Sequence, residues 1–220
     1  MRSHTTIKPM ISLWLLFALL ASSALAEPQQ ILIDDFSGNS LASWEATSFS
    51  GHTEYRIVED AGQRVLHAHS KGAASGLAYS IEYEPSDYPI LSWRWKIDGA
   101  LKKGDSRTKS GDDYAARVYV IFPHWFFPKT KTLNYIWANR LPKESVQANA
   151  YTSNAMMLAV ESGDENAGQW IAVRRDIVAD YRRAFGEDPP SVGSIAVMTD
   201  TDNTGETATA WYDDFIISAK

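Results

Sequence analysis

Cysteine is missing from all 220 residues, and this absence removes several kinds of chemistry at once. Without a thiol there is no cysteine nucleophile, no thiolate metal ligand and no disulfide bond. Disulfides matter most to very small exported domains, whereas a chain of this length buries enough apolar surface without them. The sequence therefore predicts a fold that is stabilised by its own hydrophobic core.

Long hydrophobic runs are also scarce, and Met10–Leu20 is the one extended apolar stretch. It follows the basic residues Arg2 and Lys8 and precedes an Ala-Leu-Ala segment, which is the pattern of a signal peptide with its cleavage site. An uncleaved anchor is the alternative, but the run is short for a membrane span. We predict a signal peptide at residues 1–26, no membrane span in the mature chain, and a periplasmic or secreted protein.

Positive charge is in short supply beyond that segment. Of the 21 Lys and Arg residues, two fall in the first 26 residues, which contain no acid, so 19 remain against 27 Asp and Glu. The mature chain thus has a net charge near −8. A negative surface repels phosphate backbones and anionic headgroups, so neither nucleic acid nor an anionic membrane is an expected partner.

The motifs of common hydrolases and nucleotide-binding proteins are absent. The sequence contains no G-x-S-x-G elbow, no H-E-x-x-H and no G-x-x-x-x-G-K-[ST]. His67 and His69 fall on one face of a predicted strand, where two imidazoles could ligate a metal, but no third ligand accompanies them. We expect a surface histidine pair, and no catalytic residue is predicted.

Apolar and polar residues alternate over much of the remaining chain. The clearest case is Leu91–Ile97, in which both tryptophans fall on the apolar face and Arg94 on the polar one. In Ala115–Phe122, Arg117 likewise falls on the polar face. About ten short strands and one helix, begun by Asp176, predict a mainly all-β fold: a jelly-roll-like antiparallel β-sandwich, formed as a single domain by residues 27–220.

Aspartates occur in two patterns that suit calcium. The tripeptide Asp-Asp-Phe lies in both the first and the last predicted strands, which jelly rolls often pair. Asp200–Gly205 resembles the first half of a calcium loop, although the second half of an EF-hand is missing. The predicted cofactor is a structural calcium held by Asp35, Asp200, Asp202 and Asp214. Turn hydrogen bonds or arginine ion pairs are the alternative uses of these acids.

A second set of residues suits a polar ligand. Asp112 and Asp113 precede the strand that carries Arg117, and Arg94 lies on another polar strand face. Arginine and carboxylate can fix a ligand together or simply tie a loop to a sheet. Trp125 lies between prolines in a polar-flanked loop, where an exposed ring could stack on a sugar, although most of the tryptophans should be core. The predicted ligand-binding residues are therefore Arg94, Asp112, Asp113, Arg117 and Trp125.

Five stretches carry a resemblance to a known family: Asp34–Phe36, Leu91–Trp95, Gly111–Tyr119, Asn134–Trp137 and Asp200–Phe215. Together they resemble an uncharacterised family of exported bacterial proteins, the domain of unknown function 3047, over nearly all of the mature chain. The resemblance implies no catalytic residues. At the level of fold the chain is also similar to jelly-roll carbohydrate-binding modules, which often hold a structural calcium, but a fold does not fix a function.

These observations predict an exported, non-catalytic binding domain for a glycan or another polar envelope component. One alternative is a glycan hydrolase or lyase on the same sandwich, which would place two carboxylates across a groove. A second alternative is an envelope structural or assembly partner, which would show a broad apolar patch in place of a polar cleft.

Overall fold

The computed structural model describes residues 29–220, so the predicted signal peptide lies outside the described residues. Within residues 29–220, no helix is long and apolar enough to cross a membrane. The described elements are β1 (Gln30–Asp34), β2 (Trp44–Ser50), β3 (Glu54–Asp60), β4 (Gln63–Lys71), β5 (Ala74–Tyr83), β6 (Ile90–Ile97), β7 (Arg117–Phe122), β8 (Lys131–Ala138), β9 (Val146–Ala148), β10 (Ala155–Ser162), β11 (Ile171–Asp176), α1 (Ile177–Phe185), β12 (Val192–Asp200) and β13 (Thr207–Ser218).

The strands form two sheets that pack face to face. The first sheet has the order β11-β6-β13-β4-β3, and β1 pairs with the second half of the long strand β13. The second sheet has the order β2-β5-β12-β7-β8-β10-β9. The predicted β-sandwich with one short helix is therefore confirmed. All pairs are antiparallel except β8 and β10, which run parallel because the chain passes through the edge strand β9 before it enters β10.

Alternation places the core between the two sheets as the sequence predicts. Trp93 and Trp95 of β6 are 2% and 0% exposed, and their rings lie 5.3 Å from Tyr135 and 5.8 Å from Trp137 on the facing sheet. Aromatic residues bury large apolar areas, so these contacts between the sheets supply much of the packing.

The helix α1 begins and ends at the residues that the sequence predicts. Asp176 caps it by accepting a hydrogen bond from the backbone N–H of Ala179 over 3.0 Å, and Gly186 ends it at a φ of 74°. Tyr181 turns inward and packs 4.6 Å from the ring of Phe122. The helix thus closes one end of the sandwich over the last residue of β7.

Candidate functional site

The outer face of the second sheet contains a shallow groove. In the register of β5 against β12, Ala196 lies opposite Ala78 and Met198 lies opposite Gly76. Their neighbours Leu77 and Val197 are buried in the core, so these four residues point outward. A cavity of about 420 Å³ opens on this outer face, and Met198 is among its lining residues. Its lining is Phe49, Ala74, Asp112, Arg117, Tyr119, Asn134, Asn149, Tyr151, Ala155, Met198, Asp200, Asp202 and Asn203.

Two aromatic side chains stand at the rim of the groove. Phe49 is 69% exposed and Tyr151 is 54% exposed. The hydroxyl of Tyr151 donates to Oδ1 of Asn203 over 2.7 Å, and Lys109 lies 5.0 Å from the tyrosine ring. Tyr151 is therefore held in place with much of its ring still open to solvent.

A buried ion pair closes one end of the groove. Arg117 donates from Nε to Oδ1 of Asp200 over 2.8 Å and from Nη2 to Oδ2 of the same carboxylate. It also donates to the backbone oxygen of Asp112 and lies 4.3 Å from the ring of Tyr114. Burial opposes the charge of Arg117, but the neighbouring Asp200, Tyr119 and Asp112 together outweigh burial and raise the pKa of Arg117 well above its ordinary value. The guanidinium stays charged and its partner is fixed.

The loop after β12 brings further acids to this end. Asp113 accepts a hydrogen bond from the backbone N–H of Thr204 over 2.6 Å. The amide nitrogen of Asn203 donates to Asp113 over 3.1 Å and to Asp202 over 3.0 Å. Burial and the neighbouring carboxylate of Asp113 raise the pKa of Asp202. Among the residues that the structure describes, Asp113, Asp200 and Asp202 alone form a carboxylate set within 4.8 Å that could hold a metal.

Two buried oxygens of the groove have no hydrogen-bond donor within residues 29–220. They are Oδ1 of Asp112 and Oδ1 of Asn134, in residues that are 6% and 1% exposed. The other oxygen of Asp112 accepts from Asn149 over 2.7 Å, while its Oδ1 lies 3.7 Å from Nη1 of Arg117. Buried acceptors without donors are costly, so a donor from a bound water or a ligand that reached these two oxygens would stabilise this end of the groove.

Gly111 allows the loop that delivers Asp112 and Asp113 to close on itself. A Cβ at this position would lie 2.6 Å from the backbone nitrogen of Asp105 and 2.9 Å from its oxygen. The loop ends meet at that point, because the N–H of Asp105 donates to the carbonyl of Gly111 over 2.8 Å. A side chain would therefore displace the two acids.

The structure brings together three of the five predicted ligand residues and separates two. Asp112, Asp113 and Arg117 meet at one end of the groove. Arg117 points to the outer face of its sheet as expected, but it is only 4% exposed, because the two loops that it holds cover it.

Arg94 lies on the first sheet, on the opposite outer face of the sandwich, so the idea that it shares a ligand face with Arg117 is wrong. It is paired there with Asp213 and Asp214. Trp125 is 91% exposed, as expected, but it follows the far end of β7, about 17 Å from Arg117 by the rise of a six-residue strand.

The four predicted calcium ligands do not meet in one place. The terminal strands do pair, since Gln30 lies opposite Ser218 and Asp34 opposite Phe215. However, Asp35 accepts hydrogen bonds from Ser37, and Asp214 is paired with Arg94 over 2.8 Å. These two acids make a turn and an ion pair, which were the stated alternatives. Asp200 and Asp202 instead join Asp113, which the sequence had assigned to the ligand.

Sequence reasoning missed several groove residues: Phe49, Tyr119, Asn134, Asn149, Tyr151 and Asn203. Asn203 lies inside the Asp200–Gly205 pattern and Asn134 inside a quoted stretch, so both were near a recognised signal. Phe49 and Tyr151 have mostly polar neighbours in the sequence and belong to no recognisable motif. Only the tertiary fold brings them to the same groove.

The structure also bears on the histidine pair and on the alternative of a glycosidase carboxylate pair. His67 and His69 stack 6.5 Å apart on the first sheet, but His67 is buried, so the expectation of a surface pair is corrected. Within residues 29–220 neither belongs to a group of potential metal ligands. The carboxylates of the groove lie side by side at one end, and Asp200 is fully engaged by Arg117 and by the backbone N–H of Tyr114. This differs from a glycosidase pair that faces across a cleft with its oxygens free.

Comparison with known proteins gives one family and a set of structural neighbours. A family model described as a protein of unknown function, DUF3047, matches residues 42–216. No curated protein matches the chain. The family 30 carbohydrate-binding module of a cellulosomal cellulase from Clostridium thermocellum is 12% identical, with a TM-score of 0.48 over 87% of this chain and 98% of that one.

Two further neighbours are similar in the same way. A family 28 carbohydrate-binding module specific for non-crystalline cellulose is 14% identical, with a TM-score of 0.46 over 86% of this chain and 94% of that one. A family 29 module variant complexed with cellohexaose is 9% identical, with a TM-score of 0.43 over 86% and 90% of the two chains.

Proposed function

The chain belongs to DUF3047, a family described as proteins of unknown function, and we propose that it is a non-catalytic binding domain that holds a glycan or another polar envelope component in the groove of the second sheet. The supporting observation is the pair of buried acceptor oxygens, on Asp112 and Asn134, in a groove whose rim carries the exposed rings of Phe49 and Tyr151. Sugar hydroxyls are donors for such oxygens, and sugar ring faces stack on aromatic rings.

Charge narrows the class of ligand. Asp112, Asp200 and Asp202 line the groove, and Arg117 is the one cation among the described lining residues. Because like charges repel most strongly where water is scarce, an acidic polysaccharide is disfavoured here. A neutral glycan, or one that carries protonated amines, fits this lining. Export by the segment at residues 1–26, to the periplasm or the medium, would bring the groove to such polymers.

We also propose a structural calcium at the acidic end of the groove. Asp113 and Asp202 would hold it, since their carboxylate oxygens lie within 4.8 Å of each other and of Asp200, and calcium favours several oxygen ligands. Asp200 would remain the partner of Arg117 and contribute its charge. The ion would fix the Asp200–Gly205 loop, on which Asn203 supports Tyr151.

The test is an incubation of residues 27–220 with peptidoglycan and envelope polysaccharide preparations, in calcium and in chelator. Retained protein is measured by sedimentation and released fragments by mass spectrometry. We expect retention without fragments. Release of fragments would overturn the non-catalytic assignment, and no retention on any preparation would overturn glycan binding.

A matched pair of variants locates the binding site. Phe49→Ala removes an exposed ring at the groove, and Phe127→Ala removes one that is 82% exposed elsewhere on the surface. Loss of one stacking ring costs about 1 kcal/mol, so we expect a loss of affinity of roughly fivefold for Phe49→Ala alone. Equal effects of the two substitutions would place the site outside the groove.

A further inference from the structure

The connection between β7 and β8 carries three consecutive exposed aromatic residues that the groove does not use. Trp125, Phe126 and Phe127 are 91%, 48% and 82% exposed, and we call them the aromatic tip. Single exposed apolar residues are ordinary on protein surfaces, whereas three adjacent large rings form a patch that calls for a partner.

The aromatic tip is ordered by hydrogen bonds at its base. The backbone N–H of Phe126 donates to Nδ1 of His124 over 3.0 Å, and that of Lys129 donates to the carbonyl of Phe126 over 2.8 Å. Asn154 donates from its amide nitrogen to the carbonyl of Pro128 over 2.7 Å. The rings are thus displayed by a fixed loop, so the fold itself maintains their exposure.

The charge around the aromatic tip is opposite to that of the chain. The whole sequence has a net charge of −6, yet residues 123–132 contain two lysines, one histidine and no acid. Lys131 is paired with Glu187 over 2.7 Å, whereas Lys129 is in no ion pair within residues 29–220. The general argument from net charge against an anionic surface therefore does not apply to this segment.

We propose that the aromatic tip docks on the surface of a lipid bilayer that contains anionic lipids. A lipid bilayer deforms to accept projecting rings, whereas a protein partner would need a pocket of matching shape. Tryptophan places its ring among acyl chains and its N–H among headgroups, and phenylalanine adds apolar insertion. Lys129, whose charge is not neutralised by an ion pair within residues 29–220, would meet the anionic headgroups. Binding would be peripheral and reversible, and would weaken with salt.

The tip and the groove can act together because they lie at opposite ends of β7. Arg117 begins that strand at the acidic end of the groove, and Trp125 follows its last residue, Phe122. A domain that rests on a membrane by its aromatic tip keeps the groove free. The proposal is independent of glycan binding, because it uses no residue of the groove.

The test is co-sedimentation of residues 27–220, which hold both sheets and the whole described core, with two kinds of vesicle. One kind contains phosphatidylethanolamine with phosphatidylglycerol, and the other contains phosphatidylcholine alone. We expect binding to the first that falls as salt is added, with weaker binding to the second. Failure of the protein to sediment with the anionic vesicles at low salt would overturn the proposal.

Variants test whether vesicle binding depends on the rings of the aromatic tip or on any exposed aromatic ring. Each buried aromatic contributes about a tenfold change in partition, so Trp125→Ala with Phe127→Ala should lower vesicle binding at least tenfold. Phe49→Ala is the matched control and should change it less than twofold. The tryptophan emission of the wild type should shift to the blue on vesicles, and Trp125→Phe should abolish that shift. Equal binding of the double variant and the wild type would contradict the proposal.

Discussion

Arg117 donates from two of its guanidinium nitrogens to the two carboxylate oxygens of Asp200, and both side chains are at most 4% exposed. The first lies at the start of β7 and the second at the end of β12, so the pair joins neighbouring strands at the acidic end of the groove. Arg117 also holds the carbonyl of Asp112, which links the ion pair to the loop that delivers the groove acids.

We expect Asp200→Asn to destabilise the protein by about 3–5 kcal/mol, because it leaves the buried guanidinium of Arg117 without its charge partner. Denaturation with urea at neutral pH measures this loss. The double substitution Asp200→Asn with Arg117→Met should be less destabilised than the single one, since no unpaired charge remains. A single variant within 1 kcal/mol of the wild type would contradict the role of the pair.

A pH prediction concerns His67. Burial, followed by the nearby positive charge of Arg56, lowers the pKa of this imidazole, and its Nδ1 has no hydrogen-bond partner within residues 29–220. The unfolded chain binds a proton near pH 6.5, whereas the folded chain binds it only at lower pH. Stability contributed by neutral His67 is therefore present above about pH 6.5 and is lost as the pH falls below it.

The measurement compares thermal unfolding of the wild type and His67→Gln between about pH 5 and pH 8. The stability of the wild type relative to the variant should decline on acidification, and His124→Gln in the exposed loop should not reproduce this difference. A wild-type advantage that is constant with pH would contradict the prediction.

The sequence predicted those features that depend on neighbours along the chain. The alternation of Leu91–Ile97 and the cap at Asp176 are local signals, and both are confirmed. The same reasoning missed β2, whose residues after Trp44 are mostly polar and all exposed at an edge, and the three-residue strand β9. Neither has enough period-two pattern to be recognised.

The groove was harder to predict because its parts are distant in sequence. Asp113 meets Asn203, and Tyr151 meets the same asparagine across more than fifty positions. Strand alternation placed Arg117 on the correct side of β7 but could not show that loops cover it. It also could not show that Arg94 belongs to the other sheet, since strand order is a tertiary property.

A prediction about ligand charge follows from the acids of the groove. In chelator, glucosamine oligosaccharides should bind more tightly than their N-acetylated equivalents, by roughly threefold or more, because protonated amines face Asp112 and Asp202. The preference should shrink with salt and with Asp202→Asn, but not with Asp214→Asn on the other sheet. Since the pKa of Asp202 is raised, the preference should also weaken on acidification. Tighter binding of the N-acetylated sugar would contradict this reading of the charge.

Calcium should raise the thermal stability if Asp113 and Asp202 bind it. At a hundredfold excess over the dissociation constant, a ligand of the folded state adds about 2.7 kcal/mol, which corresponds to a shift in Tm of roughly 5–10 °C at this size. Scanning calorimetry in calcium and in chelator measures it. Asp202→Asn should abolish most of the shift, and Asp214→Asn should leave it intact. Equal transitions with and without calcium would rule out the site.

Gly111→Ala should impair glycan binding in the groove while the fold remains intact. The added Cβ would lie 2.6 Å from the backbone nitrogen of Asp105, and a backbone atom cannot turn aside as a side chain can. The loop must open, which moves Asp112 and Asp113 away from Arg117 and Asn203. We expect glycan retention to fall at least tenfold, because the acceptor on Asp112 is lost, while both sheets remain folded.

Gly99→Ala is the matched control, since its Cβ would meet only Oδ1 of Asp164 at an ordinary 3.5 Å. Retention assays and circular dichroism on the two variants decide the matter: unchanged retention by Gly111→Ala would show that the position of Asp112 does not matter for binding.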